Sequence, residues 1–433
     1  MIPKRALPAF TLLLWACQWP SGAFSRELSA DTLPGYQHPI RGTVYLDRNG
    51  NGIREREEPG LAGIAVSDGL DVVKTGGSGG YLLPNLQRKA VFAFVHQPGT
   101  VRQSGQDFFH LLPAGTGAVQ FDFGLRPADA DTSGGARFVQ LSDSHVRNPS
   151  DRKYMLKATG EIYGMDPLPD FIVATGDLVD WGVDEHYRNY VAGMQEPPVP
   201  YFNVFGNHEI VFGPIGRYHR YIGPDYYSFE RGGILFLSLN CVTPGERQAA
   251  WLKNTLKALA EGRPVVIFQH FPPGPEDLER FERLGVSAVF SGHWHSEKEM
   301  QHAGVQSVNS PPFIMGGIDA SPAGFKVVQL DARGAATTGW RYGFQDKRVT
   351  VVSPQEGTAV NPDHLPLIVN AYDTSREIAS VTWRLERENA PVDSGRLRRE
   401  SATSWVGALR HSPASGEYPR GGEPSSAVPE GPR

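Results

Sequence analysis

The sequence has few cysteines, no surplus of positive charge and no long hydrophobic run. Cys17 and Cys241 are the only cysteines in 433 residues, so a disulfide framework cannot stabilise the fold. The formal net charge of -5 leaves no excess of lysine and arginine for a nucleic-acid backbone, and we expect no nucleic-acid binding. The mean hydropathy of -0.34 excludes a membrane protein with many spans.

The sequence does contain enough apolar residues to bury a core. Hydrophobic residues make up 40% of the chain and charged residues 21%, which is typical of globular proteins. The 49 glycines and 35 prolines favour β-rich modules with many loops over a helical bundle. At roughly 100–200 residues per domain, the length predicts two to four domains.

Residues 1–25 have the pattern of an export signal. Lys4 and Arg5 precede an apolar stretch from Leu7 to Ala16, which is too short to span a bilayer. We therefore expect a signal peptide over residues 1–25, an exported (periplasmic or secreted) protein, and no transmembrane span in the mature chain. Two alternatives stay open: a disordered apolar tail, and a lipoprotein signal that ends at Cys17.

The rest of the chain divides into four parts. Residues 37–127 alternate short β-type runs with glycine-rich turns, which predicts a small all-β sandwich. Residues 136–345 alternate apolar runs with helical segments such as Arg247–Ala260, which predicts an α/β domain. Residues 349–410 predict a short β-rich module. Residues 411–433 are rich in proline, glycine and serine and are expected to be disordered.

Five apolar runs of the predicted α/β domain each end in polar residues. Buried parallel strands have such runs, and ligands bind beyond the carboxyl ends of these strands. The five polar clusters should therefore meet at one edge and bring together seven imidazole or oxygen side chains: Asp143, His145, Asp177, Asn207, His270, His293 and His295. Seven ligands are too many for one tetrahedral ion and fit two divalent ions that share a carboxylate, for which we predict Asp177.

The charge of such a centre indicates its chemistry. Two divalent ions together with Asp143 and Asp177 would carry a formal charge of about +2. This surplus suits a hydroxide nucleophile and an anionic phosphate.

The order and spacing of these residues resemble the calcineurin-like metallophosphoesterases, whose pattern is D-x-H, G-D-x-x-D, G-N-H-[DE], H and G-H-x-H. The corresponding pieces are residues 143–145, 176–180, 206–209, 270 and 292–295. The resemblance implies a four-layer α/β/β/α sandwich and two transition-metal ions, with Mn, Fe and Zn all open. It implies that one ion is held by Asp143, His145, Asp177 and His295, and the other by Asp177, Asn207, His270 and His293.

The resemblance also gives roles to two further residues. His208 would bind the phosphate and protonate the leaving oxygen, with a brace for Asn207 as the alternative. Asp180 would orient a ligand imidazole. Purple acid phosphatases, which look similar, have an iron-binding tyrosine where Asp180 stands, so we do not expect an iron–tyrosinate centre.

Three functions follow, of which the first is expected. It is an exported metal-dependent phosphoester hydrolase that uses a metal-bound hydroxide. The second is a phosphodiesterase acting on nucleotides or phospholipid headgroups. The third, from another class, is a surface or adhesion protein with an inactive phosphoesterase scaffold, which the complete ligand set disfavours. The sequence does not identify any protein partner.

A second candidate site lies in the predicted β-sandwich. Oxygen side chains occupy positions 1, 3, 5, 9 and 12 of a calcium-type loop, at Asp47, Asn49, Asn51, Glu55 and Glu58. Because the flanking residues are β-like, the segment resembles Ca²⁺-binding B-type repeats of bacterial surface proteins, with a transthyretin-like or Cna-B-like sandwich. It also resembles the N-terminal module of some secreted bacterial metallophosphoesterases. The alternative is a turn rich in asparagine and glycine that binds no ion.

Overall fold

The computed structural model describes residues 38–85, 90–99, 101–103, 108–113, 119–127, 134–342, 347–355, 365–373, 376–387, 390–401 and 403–408. The predicted signal peptide and the predicted disordered tail lie outside these residues. Within the part of the chain that is described, no helix has the length and apolar character needed to cross a membrane.

The N-terminal module consists of two small β-sheets packed around a shared core. Its strands are β1 (Ile40–Leu46), β2 (Ala65–Ser67), β3 (Val72–Lys74), β4 (Gly80–Leu83), β5 (Phe92–Val95), β6 (Val101–Gln103), β7 (Phe109–Leu111), β8 (Val119–Gln120) and β9 (Phe123–Pro127). One sheet has the order β4-β1-β9-β6 with β8 beside β1, and the other has the order β3-β2-β5-β7. Val44, Val66, Leu83 and Leu125 are buried in this core.

The central region alternates strands and helices. Its elements are β10 (Ala136–Leu141), α1 (Pro149–Tyr163), β11 (Phe171–Ala174), α2 (Asp184–Met194), β12 (Tyr201–Asn203), α3 (Ile215–Tyr221), β13 (Tyr227–Arg231), β14 (Ile234–Ser238), α4 (Glu246–Leu259), β15 (Val265–Phe268), α5 (Pro275–Glu282), β16 (Val286–Ser291), β17 (Lys298–His302), β18 (Val305–Asn309), β19 (Gly324–Leu330) and β20 (Ala336–Tyr342). They form a sheet of order β12-β11-β10-β19-β20 and a second of order β13-β14-β15-β16-β18-β17.

The two central sheets pack face to face through phenylalanine rings. Phe138 and Phe171 of the first sheet contact Phe236 and Phe268 of the second, with ring centroids 5.1 to 6.3 Å apart. All four side chains are fully buried, so this layer excludes water. Aromatic rings in these contacts add specific geometry to the burial of apolar area.

Helices cover the outer faces of both sheets. Ile162 of α1 and Tyr187 of α2 share a core with Ile172 of the first sheet. Trp251 of α4 and Leu278 of α5 join the core that contains the second sheet. The alternation of α, β, β and α layers follows from strands that are apolar on both faces. The predicted mixed α/β fold with an N-terminal all-β region is confirmed.

The N-terminal module is attached to the central region over β13 and α4. The amide of Glu230 donates a hydrogen bond to the carbonyl of Gln97 at 2.9 Å. The hydroxyl of Tyr226 donates to the carbonyl of Gly69 at 2.7 Å. The ring of Tyr226 also lies 5.0 Å from that of Trp251, centroid to centroid. Tyr226 is therefore partly buried at the contact between the two modules.

The C-terminal region is also built of strands. They are β21 (Lys347–Ser353), β22 (Pro366–Asp373), β23 (Thr382–Arg387), β24 (Ala390–Arg396), β25 (Arg398–Arg399) and β26 (Ser404–Ala408). Four form a sheet of order β21-β22-β26-β25, and β23 pairs with β24. The buried core here is small and includes Val369, Ala371, Leu397 and Trp405.

Candidate metal centre

The seven predicted ligands all lie on turns directly after buried strands. Asp143 and His145 follow β10, Asp177 follows β11, Asn207 follows β12, His270 follows β15, and His293 and His295 follow β16. Strands β10, β11 and β12 pair in parallel, and so do β15 and β16. Their carboxyl ends therefore lie at common edges of the two sheets, and the turns converge.

The backbone of these turns is strained. The angle φ is positive at Asp143 (49°), His145 (44°), Asp177 (50°), His293 (68°) and His295 (47°). This left-handed region costs a residue other than glycine about 1–2 kcal/mol. Such strain persists only where the surrounding structure imposes it, and it concentrates at functional sites. Five of the predicted ligands have this strained conformation, which indicates that this edge is a functional site.

The first ligand group contains Asp143, His145, Asp177 and His295, each with one ligand atom within 4.8 Å of the others. The Nε2 atoms of His145 and His295 face each other at 2.9 Å. Nε2 of His295 is 3.3 Å from Oδ1 of Asp143, and Nε2 of His145 is 3.8 Å from Oδ2 of Asp177. Two imidazole nitrogens and two carboxylates turned toward one point form a donor set typical of a transition-metal ion.

The second ligand group contains Asp177, His270 and His293, and Asn207 lies beside it. Nε2 of His270 is 3.1 Å from Oδ2 of Asp177 and 3.1 Å from Oδ1 of Asn207. Nδ1 of His270 is 2.9 Å from the carbonyl of Thr175, to which it donates. Because Nδ1 donates to this carbonyl, Nε2 is the nitrogen that faces the site and that can bind an ion once it has lost its proton. The structure thus brings six of the predicted residues into two groups that share Asp177, and it places the seventh, Asn207, in contact with His270 of the second group.

The electrostatics of the shared carboxylate favour positive charge. Burial alone lowers the pKa of His270 and raises that of Asp177, but their mutual attraction is stronger. The pKa of His270 rises to about 9, and that of Asp177 falls well below its usual range. Burial and the neighbouring charge of His270 lower the pKa of His293 to about 4. The position between these side chains therefore favours positive charge. His270 carries a proton there that a bound metal ion would replace, and His293 is already neutral, as a metal ligand must be.

His208 and Asp180 lie beside the first group. Nδ1 of His208 donates to the carbonyl of Asp180 at 2.7 Å, and its Nε2 is 3.9 Å from Oδ2 of Asp177. The side chain of His208 is 31% exposed, so a substrate can reach it. Oδ1 of Asp180 lies 3.5 Å from Nδ1 of His145. Asp180 is thus placed to orient the ligand imidazole, and His208 is placed to meet a substrate.

Glu209 is a residue of the site to which the sequence reasoning gave no role. Its fully buried carboxylate accepts hydrogen bonds from the amides of Asp177 (3.1 Å), Leu178 (2.7 Å), Val179 (3.2 Å) and Gly206 (2.6 Å). Burial and the charge of Asp177 raise the pKa of Glu209 to about 8, while amide hydrogen bonds act in the opposite direction. Glu209 fixes the turn after β12 against the turn after β11. The acidic fourth position of the G-N-H-[DE] motif is the sequence feature that could have indicated a role for Glu209.

Gly206 allows these two turns to approach closely. A Cβ atom at this position would lie 2.3 Å from the amide nitrogen of Asp177 and 2.7 Å from Oε2 of Glu209. We expect Gly206→Ala to weaken metal binding by about 10–100-fold, as changes behind metal ligands do, and to lower the melting temperature. Metal titration and thermal melting measure both effects.

Gly160→Ala in α1 is the matched control. Apart from the neighbouring backbone of α1, no atom lies within 4 Å of the position that a Cβ atom at Gly160 would take. Alanine in a helix is favoured over glycine by about 0.5–1 kcal/mol. This variant should bind metal normally. Wild-type metal affinity in Gly206→Ala would contradict the role given to the close approach.

The predicted calcium loop is compact in the structure. The buried carboxylate of Asp47 accepts hydrogen bonds from the amides of Gly50 (2.6 Å) and Gly52 (2.8 Å). Oε1 of Glu58 accepts from the amide of Arg48 at 2.8 Å, and Oε1 of Glu55 accepts from the Asn51 side chain at 2.6 Å. Calcium binding by this loop stays a prediction.

Comparisons with known proteins identify families and relatives to which parts of the chain are similar. Residues 136–297 match the family model of the calcineurin-like phosphoesterases, and residues 48–128 match the model described as the N terminal of calcineurin-like phosphoesterase. The serine/threonine-protein phosphatase CPPED1 of Danio rerio is 31% identical over 194 residues, which are 36% of this chain and 63% of that protein. A probable cyclic nucleotide phosphodiesterase of Rhodopseudomonas palustris is 28% identical over 180 residues, which are 35% of this chain and 62% of that protein.

The chain thus matches a little under two thirds of the length of these two relatives. Among solved structures, a purple acid phosphatase from yellow lupin seeds aligns with 76% of this chain and 68% of its own, at a TM-score of 0.35 and 12% identity.

Proposed function

We propose that this chain, whose central region belongs to the calcineurin-like phosphoesterase superfamily, hydrolyses phosphoric esters at the metal centre described above. The observation that carries the proposal is the pair of ligand groups sharing Asp177. Two divalent ions held there would activate water and neutralise the charge of the phosphate. Manganese, iron and zinc all suit a donor set of imidazoles, carboxylates and one amide oxygen.

Asp180 and His208 have further roles in the proposed reaction. The carboxylate of Asp180, 3.5 Å from Nδ1 of His145, can orient this ring so that Nε2 faces the first ligand group. The peptide carbonyl of Asp180 accepts from Nδ1 of His208, which leaves Nε2 of that ring facing the site. A protonated His208 can therefore donate a proton to the leaving oxygen of a bound ester. Its partial exposure places that oxygen on the solvent side of the site.

The test uses the full chain after removal of metal with a chelator. Release of p-nitrophenol from p-nitrophenyl phosphate and from bis(p-nitrophenyl) phosphate is measured before and after addition of Mn²⁺, Zn²⁺ or Fe²⁺. We expect turnover only after an ion is added. Equal rates with and without ions would contradict the proposal, and so would the absence of turnover with every ion.

A phosphodiesterase is the second candidate. The printed names of the relatives include both a protein phosphatase and a cyclic nucleotide phosphodiesterase, so the superfamily match fits either reaction. The ratio of rates on the two model esters separates the candidates. The third candidate, an inactive scaffold, is disfavoured by the arrangement of the seven ligands and His208.

We also propose that the N-terminal loop binds calcium, because of the spacing of the oxygen side chains in this loop. We expect Ca²⁺ to raise the melting temperature of the wild type. We expect Glu58→Gln to bind Ca²⁺ at least about tenfold more weakly than the wild type, because the residue at this loop position supplies both of its carboxylate oxygens to the ion. Calorimetric titration with Ca²⁺ measures the affinity. Glu57→Gln, the same change one residue away and outside the predicted set, should bind like the wild type. Equal affinities in both variants would contradict the site.

Export is proposed from the pattern of residues 1–25 alone. So is a relation of the N-terminal sandwich to the Cna-B-like or transthyretin-like modules of secreted bacterial metallophosphoesterases. N-terminal sequencing of the protein purified from the compartment where it accumulates tests export. A first residue at one of positions 24–26 is expected, and an intact segment over residues 1–25 would contradict cleavage.

A further inference from the structure

Two large aromatic side chains are exposed on the loops next to His208. Trp181 directly follows Asp180, whose carbonyl binds the His208 ring, and Phe212 lies four residues after His208. Trp181 is 45% exposed and Phe212 is 76% exposed. Their ring centroids are 5.4 Å apart in an edge-to-face arrangement. The two rings therefore form one apolar surface, here called the aromatic pair, carried by loops that are hydrogen-bonded to His208.

The two loops that carry the aromatic pair are fastened to each other. The amide of Gly182 donates to the carbonyl of Val211 at 2.7 Å. The amide of Val211 donates in turn to the carbonyl of His208 at 3.2 Å. A Cβ atom at Gly182 would lie 2.2 Å from the carbonyl oxygen of Glu209, so the loops are in direct contact. The position of the aromatic pair is therefore tied to the position of His208.

The side chains are also supported individually. The Trp181 ring stacks on His186 with centroids 5.5 Å apart and an interplanar angle of 19°. The Trp181 amide donates to Nδ1 of that histidine at 3.1 Å. Phe212 has a φ of 57°, a left-handed conformation that is unfavourable for phenylalanine. A strained backbone that turns a ring into solvent adds little to the burial that stabilises the fold. Contact with a ligand would bury the exposed Phe212 ring and so account for this arrangement.

We propose that the aromatic pair binds the leaving group of the substrate and selects esters whose leaving group carries a flat aromatic ring. The inference rests on the proposed function, because it places the leaving oxygen beside His208. A flat ring can stack on or meet the edge of an exposed tryptophan or phenylalanine, whereas a short polyol offers no such surface. The ring can belong to an aryl group or to a nucleobase, and the chemistry of recognition is the same.

Kinetics on three monoesters test the selection. They are p-nitrophenyl phosphate with an aryl ring, adenosine 5′-monophosphate with a nucleobase, and glycerol 3-phosphate with no ring. In Trp181→Ala and in Phe212→Ala, kcat/KM for at least one ring-bearing ester should fall roughly 5- to 50-fold more than kcat/KM for glycerol 3-phosphate, mainly through KM. The ester with the larger loss identifies the ring that the aromatic pair binds.

Two further variants separate stacking from structural damage. Trp181→Phe keeps a flat ring and should retain most of the preference of the wild type. Leu82→Ala changes an exposed apolar side chain of β4, 59% exposed, in the N-terminal module and should leave the preference unchanged. Equal losses on all three esters in Trp181→Ala and Phe212→Ala would overturn the inference.

A binding measurement provides a readout that does not depend on turnover. Zinc-loaded wild-type protein should bind phenylphosphonate more tightly than methylphosphonate in calorimetric titration, and Trp181→Ala should remove most of the difference. Equal affinities in the wild type would overturn the role of the aromatic pair while leaving the proposed function intact. If neither phosphonate binds and no ester is hydrolysed, the proposed function itself fails, and this inference fails with it.

Discussion

Replacing Asp177 by asparagine is expected to abolish metal-dependent turnover. Oδ2 of Asp177 lies 3.1 Å from Nε2 of His270 in one ligand group and 3.8 Å from Nε2 of His145 in the other. Asparagine has nearly the same size but no charge, so it cannot offset the repulsion between two cations. We expect kcat/KM for p-nitrophenyl phosphate to fall by about 10³-fold or more, which corresponds to several kcal/mol of lost stabilisation.

Metal analysis by mass spectrometry on the same preparations gives the second readout. Wild-type protein should hold two ions per chain, and Asp177→Asn should hold one or fewer. Asp331→Asn is the matched control, because this carboxylate also accepts backbone amides, in an exposed turn after β19. It should keep both ions and full activity. An Asp177→Asn variant with two ions and normal turnover would refute the shared-ligand arrangement.

Replacing His208 by alanine is expected to lower kcat by about 10²–10⁴-fold, the usual contribution of a general acid, while the metal content stays that of the wild type. His208 lies outside the two groups of ligands that share Asp177, and its Nδ1 is engaged with the carbonyl of Asp180. The loss should be larger for glycerol 3-phosphate than for p-nitrophenyl phosphate, because an alkoxide leaves poorly without a proton and a nitrophenolate leaves well.

The alternative role of His208, a brace for Asn207, predicts a different result. A brace would affect both esters equally and would reduce the metal content along with the rate. His302→Ala is the control, since this histidine of β17 lies away from the ligand groups and its half-exposed side chain contacts Glu279 at 3.3 Å. It should leave both the rate and the metal content unchanged. Comparison of two leaving groups and metal content therefore distinguishes proton transfer from bracing.

Much of the candidate site can be predicted from sequence because its polar residues directly follow apolar runs that are recognisable as strands. The apolar runs before Asp143, Asp177 and His270 are long enough to identify buried strands, and parallel pairing brings their ends together. The helix predicted over Arg247–Ala260 is observed over Glu246–Leu259, because amphipathic spacing defines a helix well and its ends less well.

Other features depend on contacts between loops, for which the sequence carries only weak signals. The amides that surround Glu209 come from two turns that are about 30 positions apart in the sequence, and only their folded approach creates the network. The exposure of Trp181 and Phe212 cannot be read from residue type, because aromatic residues are usually buried. The attachment of the N-terminal sandwich through Tyr226 likewise joins residues separated by 157 positions.

The most direct test of the account is a crystal structure of the protein purified with Zn²⁺ or Mn²⁺, with the ions located by anomalous scattering. We predict two peaks roughly 3.5–4 Å apart. One should lie among Asp143, His145, Asp177 and His295, and the other among Asp177, Asn207, His270 and His293, with Asp177 contacting both. A single peak, or two peaks without a shared Asp177, would contradict the central claim that these turns build one dinuclear centre.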